Sequence, residues 1–305
     1  MGRKQPALSS PDMARSQASA RLALIAAAAL FSTGGAAIKA TTLTGWQVAS
    51  FRSAVAAAAL AAFLPGARRR WTWGTVAVGA AYAATMVLFV LGNKLTTAAN
   101  TIFLQSTAPL YLLLLGPWLL HEPIRRRDLA LLVAMATGLA LVIAGKETRS
   151  ATAPDPVTGN FLALASGVFW AFTMLGLRRL SRDVSPHAPS PAAAAMVAGN
   201  ALACVGTLPL AVPVSWTPKD VLLIGYLGLF QIGLAYAFVG VGLRRVGALE
   251  ASLLLLVEPV LNPLFAWAVH GERPGPLTLA GGAVILSATA LEAVIPARDR
   301  ASLPP

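Results

Sequence analysis

The sequence predicts an all-α integral membrane protein whose ten transmembrane helices form two inverted five-helix repeats. Of the 305 residues, 56% are hydrophobic and only 12% are charged, whereas soluble domains carry about 25% charged residues. Long uncharged runs alternate with short arginine-bearing connectors, and a helix needs about 20 mainly apolar residues to cross a bilayer. The runs are continuous and lack the period-two alternation of a transmembrane β-barrel. One long apolar stretch also occurs twice.

The repeated stretch covers residues 98–122, AANTIFLQSTAPLYLLLLGPWLLHE, and residues 248–272, ALEASLLLLVEPVLNPLFAWAVHGE. The two copies align without a gap at an offset of 150 residues. Pro109 falls on Pro259, and each copy ends on a glutamate 13 residues after that proline. The equal spacing of two landmarks predicts an internal duplication.

The first repeat is predicted to cover residues 21–145, after a polar segment, 1–20, that is expected to be a disordered cytoplasmic tail. Its first apolar run contains Gly34-Gly35, a pair that permits close helix contact or a local break. Its third run contains small residues, among them Gly79, at a spacing suited to close packing of helices. The predicted spans of this repeat are 21–39, 46–64, 73–92, 98–122 and 129–145.

The second repeat is predicted to cover residues 158–295 and to follow a periplasmic linker, 146–157. The linker sequence, KETRSATAPDPV, is polar and contains two prolines, a composition typical of connecting segments. Residues 296–305 are expected to form a cytoplasmic tail. The predicted spans of this repeat are 159–177, 191–212, 221–243, 248–272 and 276–295.

The basic residues predict the orientation of the chain. A net charge of +12 would suggest nucleic acid as a partner of a soluble protein, but here the basic residues flank apolar runs, as in membrane proteins. We therefore expect no nucleic-acid partner. With the N-terminus in the cytoplasm, 17 of the 24 lysines and arginines fall in cytoplasmic segments, six fall in external segments and Arg52 lies within a span. This bias predicts ten spans with both termini in the cytoplasm.

The odd number of spans in each half sets the relation between the two repeats. Two consecutive five-helix halves must enter the membrane in opposite senses, so the two copies of the repeated stretch run in opposite directions. Inverted repeats are common among secondary transporters, in which the substrate site lies near the bilayer midplane and access alternates between the two sides.

The Pro-x12-Glu pattern of both fourth helices resembles the EamA family of the drug/metabolite transporter superfamily. The second copy is especially similar, because LVEPVLNPLFAWAVHGE carries the family's Glu-Pro, an apolar run and a closing Gly-Glu. Lys39 fits the basic residue that often closes the first helix, and Trp170 fits a tryptophan of the corresponding helix in the second half. The family has a pair of glycines in the fifth helix of each repeat, and this sequence keeps one of each pair, Gly138 in the first repeat and Gly281 in the second. The similarity covers residues 21–295.

The resemblance implies a bacterial inner-membrane exporter or importer of small metabolites, amino acids or drugs. With the inverted repeats, it predicts a secondary active transporter that works by alternating access, with export as the expected direction and a proton gradient as the driving force. The expected partners are a small-molecule substrate and the lipid bilayer, and assembly into a homodimer is left open.

Glu258 is the leading candidate for a functional residue, because it lies near the middle of the ninth span. A charge at that depth costs about 2.5–3.5 kcal/mol on insertion scales, so the side chain is expected to face the helix bundle or to be protonated. Two interpretations stay open: a carboxylate that couples protons or binds a cationic group, and a carboxyl that packs against a neighbouring span. Asn262 lies one turn later and is expected on the same face.

Four further candidates are the two prolines of the repeated stretch, Gln105 and Arg52. Pro109 and Pro259 each free the carbonyl four residues earlier, at Gln105 and Leu255, and each predicts either a plain helix kink or a carbonyl that lines a cavity. The Gln105 side chain is a candidate hydrogen-bonding group in such a cavity, whereas Leu255 is apolar. Arg52 either snorkels to the surface, contacts an anionic substrate or pairs with a carboxylate.

Trp170 and Tyr236 lie within spans and are candidate walls of the substrate cavity. Glu122 and Glu272 lie where helices end and are expected to be solvated or to cap loops. Glu250 lies beside two arginines at the inner surface, and a gating or interfacial salt bridge is expected there.

The sequence contains no motif of a nucleotide-binding loop, Gly-x4-Gly-Lys-Ser/Thr, or of a Gly-x-Ser-x-Gly nucleophile. Its three histidines, His121, His187 and His270, lack the spacing of metal ligands. The single cysteine, Cys204, excludes an intrachain disulfide. We therefore expect no catalytic residue, metal or cofactor, and the alternative to a transporter is an intramembrane enzyme acting on a lipid-like substrate.

Overall fold

The computed structural model describes residues 10–68, 71–119, 126–181 and 191–294. Most of these residues are helical, and these ranges contain no β-strand. The α-helices of these ranges are α1 Ser10–Ser32, α2 Gly34–Ala40, α3 Gly45–Phe63, α4 Trp73–Leu95, α5 Ala98–Gln105, α6 Ala108–Leu119, α7 Arg126–Ala144, α8 Pro156–Ser181, α9 Ala192–Ala211, α10 Pro218–Tyr226, α11 Ala235–Gly242, α12 Ala248–Leu255, α13 Val257–His270 and α14 Pro276–Val294. A short 3₁₀ helix, Pro65–Arg68, follows α3, and a π-helix, Leu227–Leu234, joins α10 to α11.

Within the described ranges, nine helical stretches are long and apolar enough to cross a membrane. The remaining predicted span corresponds to α7, whose apolar part, Asp128–Ala144, is shorter. Large apolar side chains face outward, for example Leu222, which is 74% exposed, and Phe161, which is 67% exposed. Exposed apolar side chains of this size are expected where a helix faces lipid. The prediction of an all-helical fold is therefore confirmed for the described residues, and the nine stretches are consistent with a multi-pass membrane protein.

Three predicted spans are interrupted by short breaks. α1 ends before Thr33, next to the predicted glycine pair, and α5 is separated from α6 by a turn at Ser106 and Thr107. α12 is separated from α13 at Leu256. Both bounds of α12 lie 150 residues after those of α5, so the offset seen in the sequence is also the offset between these two helices.

The segments outside the spans differ from the prediction in two places. α1 begins at Ser10, so the second half of the predicted disordered tail is helical, while residues 1–9 lie outside the described residues. α8 begins at Pro156, earlier than predicted, because a proline is well tolerated in the first turn of a helix. The predicted tail 296–305 also lies outside the described residues.

Glycines allow two pairs of helices to approach closely. A Cβ atom added to Gly199 of α9 would lie 2.6 Å from the Gly79 carbonyl oxygen of α4. A Cβ atom on Gly281 of α14 would likewise lie 2.5 Å from the Gly138 carbonyl oxygen of α7. Small residues let helix backbones pack in this way inside a membrane. The close packing predicted at Gly79 is confirmed.

The bundle has two ends, which we name by the segments found there. At the linker end, the Asp155 backbone N–H donates to the Leu95 carbonyl over 3.1 Å, which ties the start of α8 to the end of α4. At the N-terminal end, Arg21 of α1 pairs with Glu250 of α12. The candidate site lies between these two ends.

Candidate binding cavity

A cavity of about 430 Å³ lies between helices of the first and second predicted repeats. Small-molecule sites in proteins usually measure about 300–1,000 Å³, so the cavity is large enough for a small solute. Its lining is largely apolar with a few polar groups, and it consists of Phe31, Arg52, Met86, Phe89, Ile102, Gln105, Ser106, Ala108, Pro109, Trp170, Met174, Gln231, Ile232, Tyr236, Val239, Ser252, Leu255, Leu256, Glu258, Pro259 and Thr289.

The breaks in both copies of the repeated stretch border this cavity. Pro109 is the second residue of α6 and Pro259 is the third residue of α13, so each proline lies in the first turn of a helix, where its missing N–H is not needed. The predicted kinks are thus full breaks. Near the first break, a Cβ atom on Gly167 would lie 3.2 Å from the Gln105 carbonyl oxygen, so this freed carbonyl packs against α8.

Glu258 lines the cavity from the second residue of α13, and its side chain is partly exposed there. Among the described residues, none forms a hydrogen bond or an ion pair with this carboxyl. Tyr236 is close enough to interact electrostatically with the Glu258 carboxyl. A carboxyl without a protein partner in an apolar cavity can bind a proton or a group of the solute.

Gln105 lines the same cavity from the end of α5 and has a protein partner. Its Nε2 donates to Ser166 Oγ over 2.7 Å, and that hydroxyl donates to the Thr85 carbonyl over 3.1 Å. This chain of hydrogen bonds links α5, α8 and α4. The predicted cavity position of Gln105 agrees with the structure, although its amide is already committed to α8.

Arg52 reaches the cavity from α3 and does not extend to the surface, since it is only 1% exposed. Its Nη2 contacts Met86 Sδ over 3.4 Å, while its Nε has no hydrogen-bond partner. Tyr82 and Tyr236 are close enough to interact electrostatically with the Arg52 guanidinium. Snorkelling is therefore excluded for Arg52, and so is an ion pair with a carboxylate of the described residues.

The start of α3 fixes how far Arg52 lies inside the bundle. Thr44 Oγ1 accepts a hydrogen bond from the Gln47 backbone N–H, and the Gln47 side chain accepts one from the Thr44 backbone N–H. Such a capping box fixes the first residue of a helix, here Gly45. Arg52 then follows two turns into α3, level with the cavity.

Aromatic rings form part of the wall. The rings of Phe31 and Tyr236 meet edge to face with 5.0 Å between their centroids, and Tyr236 also contacts Tyr82 with 6.4 Å between centroids. Trp170 of α8 lines the cavity as well. The cavity-wall positions predicted for Trp170 and Tyr236 agree with the structure.

Asn262 does not line the cavity, although the sequence predicted it on the same face as Glu258. It is fully buried, and neither atom of its amide group has a hydrogen-bond partner. A Cβ atom on Gly35 would lie 2.8 Å from Asn262 Oδ1 and 3.0 Å from Asn93 Oδ1. Asn262 therefore packs against α2, which covers this part of α13 one turn beyond Glu258.

Gln231 lines the cavity and was missed by the sequence analysis. It lies in the π-helix Leu227–Leu234, and its Nε2 donates to the Phe31 carbonyl over 3.4 Å. π-helical turns often occur at functional sites. A lone glutamine within a long apolar span is a signal that was available in the sequence.

Glu272 is buried at the linker end, so the expectation of a solvated glutamate is wrong. Its Oε1 lies 2.9 Å from Lys39 Nζ, and both side chains are only 2% exposed. Its Oε2 accepts a hydrogen bond from the Ala98 backbone N–H over 2.9 Å. Glu272 thus caps the start of α5 in the first repeat, whereas the sequence predicted the capping of a loop.

Two neighbouring polar groups strengthen the linker end. Lys39 Nζ also donates to the carbonyls of Thr96 and Thr152. Lys94 Nζ donates to the Thr41 carbonyl over 2.9 Å. These bonds connect α2, α4 and the linker around the buried ion pair.

Glu250 forms an exposed ion pair at the N-terminal end, with side-chain exposures of 43% for Glu250 and 51% for Arg21. The interfacial salt bridge expected for Glu250 is present, with α1 as its partner. Glu122, His121 and His187 lie outside the described residues. His270 Nε2 lies 2.8 Å from the Ala36 carbonyl oxygen, and the described part of the chain holds no group of three potential metal ligands.

Comparisons with known proteins place this fold among transporters. A model of the EamA-like transporter family matches residues 18–144 and 157–292. An "Uncharacterized transporter" of Methanothermobacter thermautotrophicus is 23% identical over 197 residues, which are 61% of this chain and 54% of that protein. The "Uncharacterized transporter YyaM" of Bacillus subtilis is 25% identical over 186 residues, or 60% of each chain. The chain thus spans between half and two thirds of the length of these relatives.

A solved crystal structure has the same fold. It is 22% identical in sequence, superimposes with a TM-score of 0.60, and covers 93% of this chain and 99% of its own. A protein of experimentally determined structure therefore adopts the same overall architecture.

Proposed function

The chain belongs to the EamA-like transporter family, and on this premise we propose that it is a secondary active transporter of the bacterial inner membrane. It moves a small metabolite, amino acid or drug-like solute by alternating access, and the movement is coupled to protons. Export is the proposed direction, with both termini in the cytoplasm. The observation that carries the proposal is the cavity of about 430 Å³ between the two repeats, with Glu258 unpartnered in its wall.

Two findings support an inverted pair of repeats. The family model matches two separate ranges of similar length, and α5 and α12 have bounds that differ by the same 150 residues. With five spans in each range, the two halves would enter the membrane in opposite senses. Rocking of such halves around a central site is the usual basis of alternating access.

Glu258 is the group to which we assign the proton. A carboxylate at membrane depth is costly unless it is paired or protonated, and Glu258 has no partner among the described residues. Binding and release of a proton would let this residue change its charge as the cavity changes sides. The direction of a secondary transporter follows the gradients across the membrane. Accumulation in liposomes therefore tests proton coupling and does not test the direction of transport in the cell.

Transport by the purified protein in liposomes tests the proposal. The solutes are benzenesulfonate, phenylalanine and ethidium, which represent an organic anion, an amino acid and a cationic drug. We expect at least one solute to accumulate in proteoliposomes when a proton gradient is imposed and to equilibrate without that gradient. Empty liposomes are the control.

The competing function is an intramembrane enzyme acting on a lipid-like substrate. The family and the names of the relatives favour a transporter. Turnover of a lipid without accumulation of any of the three solutes would contradict the proposal and support the enzyme.

A further inference from the structure

We propose that Arg52 binds the anionic group of the transported solute, and that this solute is an organic anion with a compact apolar or aromatic body. The inference rests on the proposed function, because it names the class of solute that the cavity accepts. It starts from a buried guanidinium in the cavity that forms no ion pair with the described residues.

Arg52 is a buried cation that forms no ion pair with any residue that the structure describes. Guanidinium groups stay charged in proteins, and a buried charge is costly unless it is paired. Arg52 is 1% exposed, its Nε has no partner, and the contact of its Nη2 is the thioether of Met86 at 3.4 Å. A thioether sulfur is a weak acceptor, so donors of Arg52 remain free for a ligand.

The groups around Arg52 do not neutralise its charge. Tyr236 lines the same cavity as Arg52, and Tyr82, which is 1% exposed, contacts Tyr236 ring to ring. Neutral hydroxyls and a thioether can orient a planar cation but carry no negative charge. The flat guanidinium is suited to a carboxylate or sulfonate, which it can bind through two parallel hydrogen bonds.

The rest of the cavity accepts an apolar body. Phe31, Trp170 and Tyr236 supply aromatic surface, and Met86 and Met174 supply adaptable apolar side chains. Pockets that bind small ligands combine such a lining with a few polar groups that fix orientation. Arg52 provides this orientation at one side of the cavity.

Glu258 shares the cavity and would repel an anion if it were ionised. In the proposed function it carries the proton, and a protonated Glu258 is neutral. An anion beside Arg52 and a neutral Glu258 leave the loaded cavity without net charge, whereas an ionised Glu258 balances Arg52 when the cavity is empty. Both states avoid the cost of moving a net charge through the bilayer, so we infer that anion and proton are carried together. Export by this route requires an outward gradient of the anion that exceeds the inward gradient of protons.

Binding of three matched compounds to the purified full-length protein tests the inference. 3-Phenylpropionate carries the anion, 3-phenylpropionamide has the same shape without charge, and phenylalanine is 3-phenylpropionate with an added ammonium group. We expect 3-phenylpropionate to bind at least about tenfold more tightly than the amide, because charge-assisted hydrogen bonds are the stronger ones. Phenylalanine is expected to bind more weakly than 3-phenylpropionate.

Variants of Arg52 locate the binding group. In Arg52→Gln the preference for 3-phenylpropionate over its amide should disappear, while Arg52→Lys should keep part of it, because lysine retains the charge without the planar fork. Arg244→Gln is the matched control, since Arg244 is exposed and lies outside the cavity. It should bind all three compounds as the wild-type protein does.

Thermal unfolding without ligand separates a binding role from a structural one. An unpaired buried charge does not stabilise the fold, so Arg52→Gln should melt at or above the Tm of the wild-type protein. A Tm several degrees lower, or a preference for the anion that survives in Arg52→Gln, would overturn the inference. Tighter binding of phenylalanine or of the amide than of 3-phenylpropionate would overturn it as well.

Failure of this inference can be told apart from failure of the proposed function. If Arg52-dependent binding of 3-phenylpropionate is found but no solute accumulates in proteoliposomes, the anion site stands and the transport function fails. If phenylalanine or ethidium accumulates while 3-phenylpropionate does not bind, the transport function stands and the anion site fails.

Discussion

The two breaks that border the cavity have the same register in the chain but different chemistry. At the first break, the side chain of Gln105 is bonded to Ser166, and the residue after the turn is Ala108, which is 2% exposed. At the second break, the position of Ala108 is taken by Glu258, which lines the cavity without a partner among the described residues. One copy of the repeated stretch therefore holds helices together, and the other leaves a titratable group free.

This difference shows how a duplicated scaffold can divide its tasks. Both copies keep the proline that starts a helix at the break, Pro109 and Pro259, and both contribute to the wall of one cavity. The backbone feature is shared because both halves need it to form the cavity. The carboxylate is found in one half, so proton coupling in our proposal depends on the second copy alone.

Removal of the unmatched carboxylate should have the largest effect on transport. In Glu258→Gln, accumulation driven by a proton gradient should fall to the level of empty liposomes, because the amide cannot take up the proton. Counterflow, the exchange of solute across the membrane without a gradient, should persist because the cavity keeps its shape. Both are measured with the solute that the wild-type protein transports.

The same substitution at an exposed carboxylate is the control for this prediction. Glu250→Gln should leave driven accumulation unchanged, since Glu250 lies at the N-terminal end and outside the cavity. Driven accumulation that survives in Glu258→Gln would remove the functional difference between the two breaks.

The largest effect on stability is expected at the linker end, where the end of the second copy is tied to the start of the first. Lys39→Met would leave Glu272 buried without its counter-ion, and breaking a buried pair in this way costs roughly 3–5 kcal/mol. Unfolding in mixed detergent and sodium dodecyl sulfate measures the loss. The double variant Lys39→Met, Glu272→Met should recover much of the stability, and a double variant as unstable as Lys39→Met would contradict this explanation.

A smaller effect is expected for Gln105, whose position in the first break is occupied by leucine in the second. Gln105→Leu removes the bond to Ser166 and should lower the free energy of unfolding by about 1–2 kcal/mol. The Ser166 hydroxyl keeps its bond to the Thr85 carbonyl, so the loss stays moderate. Driven accumulation should continue, and its complete loss in a folded variant would show that the first break also has a coupling role.

The smallest effect is expected for the ion pair at the N-terminal end. Arg21 and Glu250 are 51% and 43% exposed, and exposed pairs contribute less than about 1 kcal/mol. Arg21→Gln should therefore unfold at nearly the same detergent composition as the wild-type protein. A loss of stability as large as that of Lys39→Met would contradict the expectation that the exposed ion pair contributes less than the buried one.

Much of the fold followed from composition and from the repeated stretch. Apolar run lengths predicted the spans because a helix must satisfy its own backbone in a bilayer, and the prolines indicated where the helices break. Glu258, Arg52 and Gln105 were predicted as candidates because polar groups are rare within apolar spans.

The remaining features depend on packing that local patterns do not encode. Helical periodicity groups Asn262 with Glu258 but does not show that α2 covers Asn262 one turn further along. It also does not predict the π-helix that carries Gln231. The pairing of Lys39 with Glu272 joins the first and ninth spans, and neither residue indicates its partner through sequence spacing. Such contacts depend on which helices become neighbours in the folded protein.

The most direct test of the central claim is to follow protons and solute together in proteoliposomes that contain a pH-sensitive dye. Benzenesulfonate is a suitable solute because it stays ionised and does not carry protons across the lipid by itself. We predict that its entry acidifies the interior in liposomes with the wild-type protein, and that Glu258→Gln exchanges external for internal benzenesulfonate without acidification. Equal acidification for each molecule entering through the wild-type protein and through Glu258→Gln would contradict the assignment of the proton to Glu258.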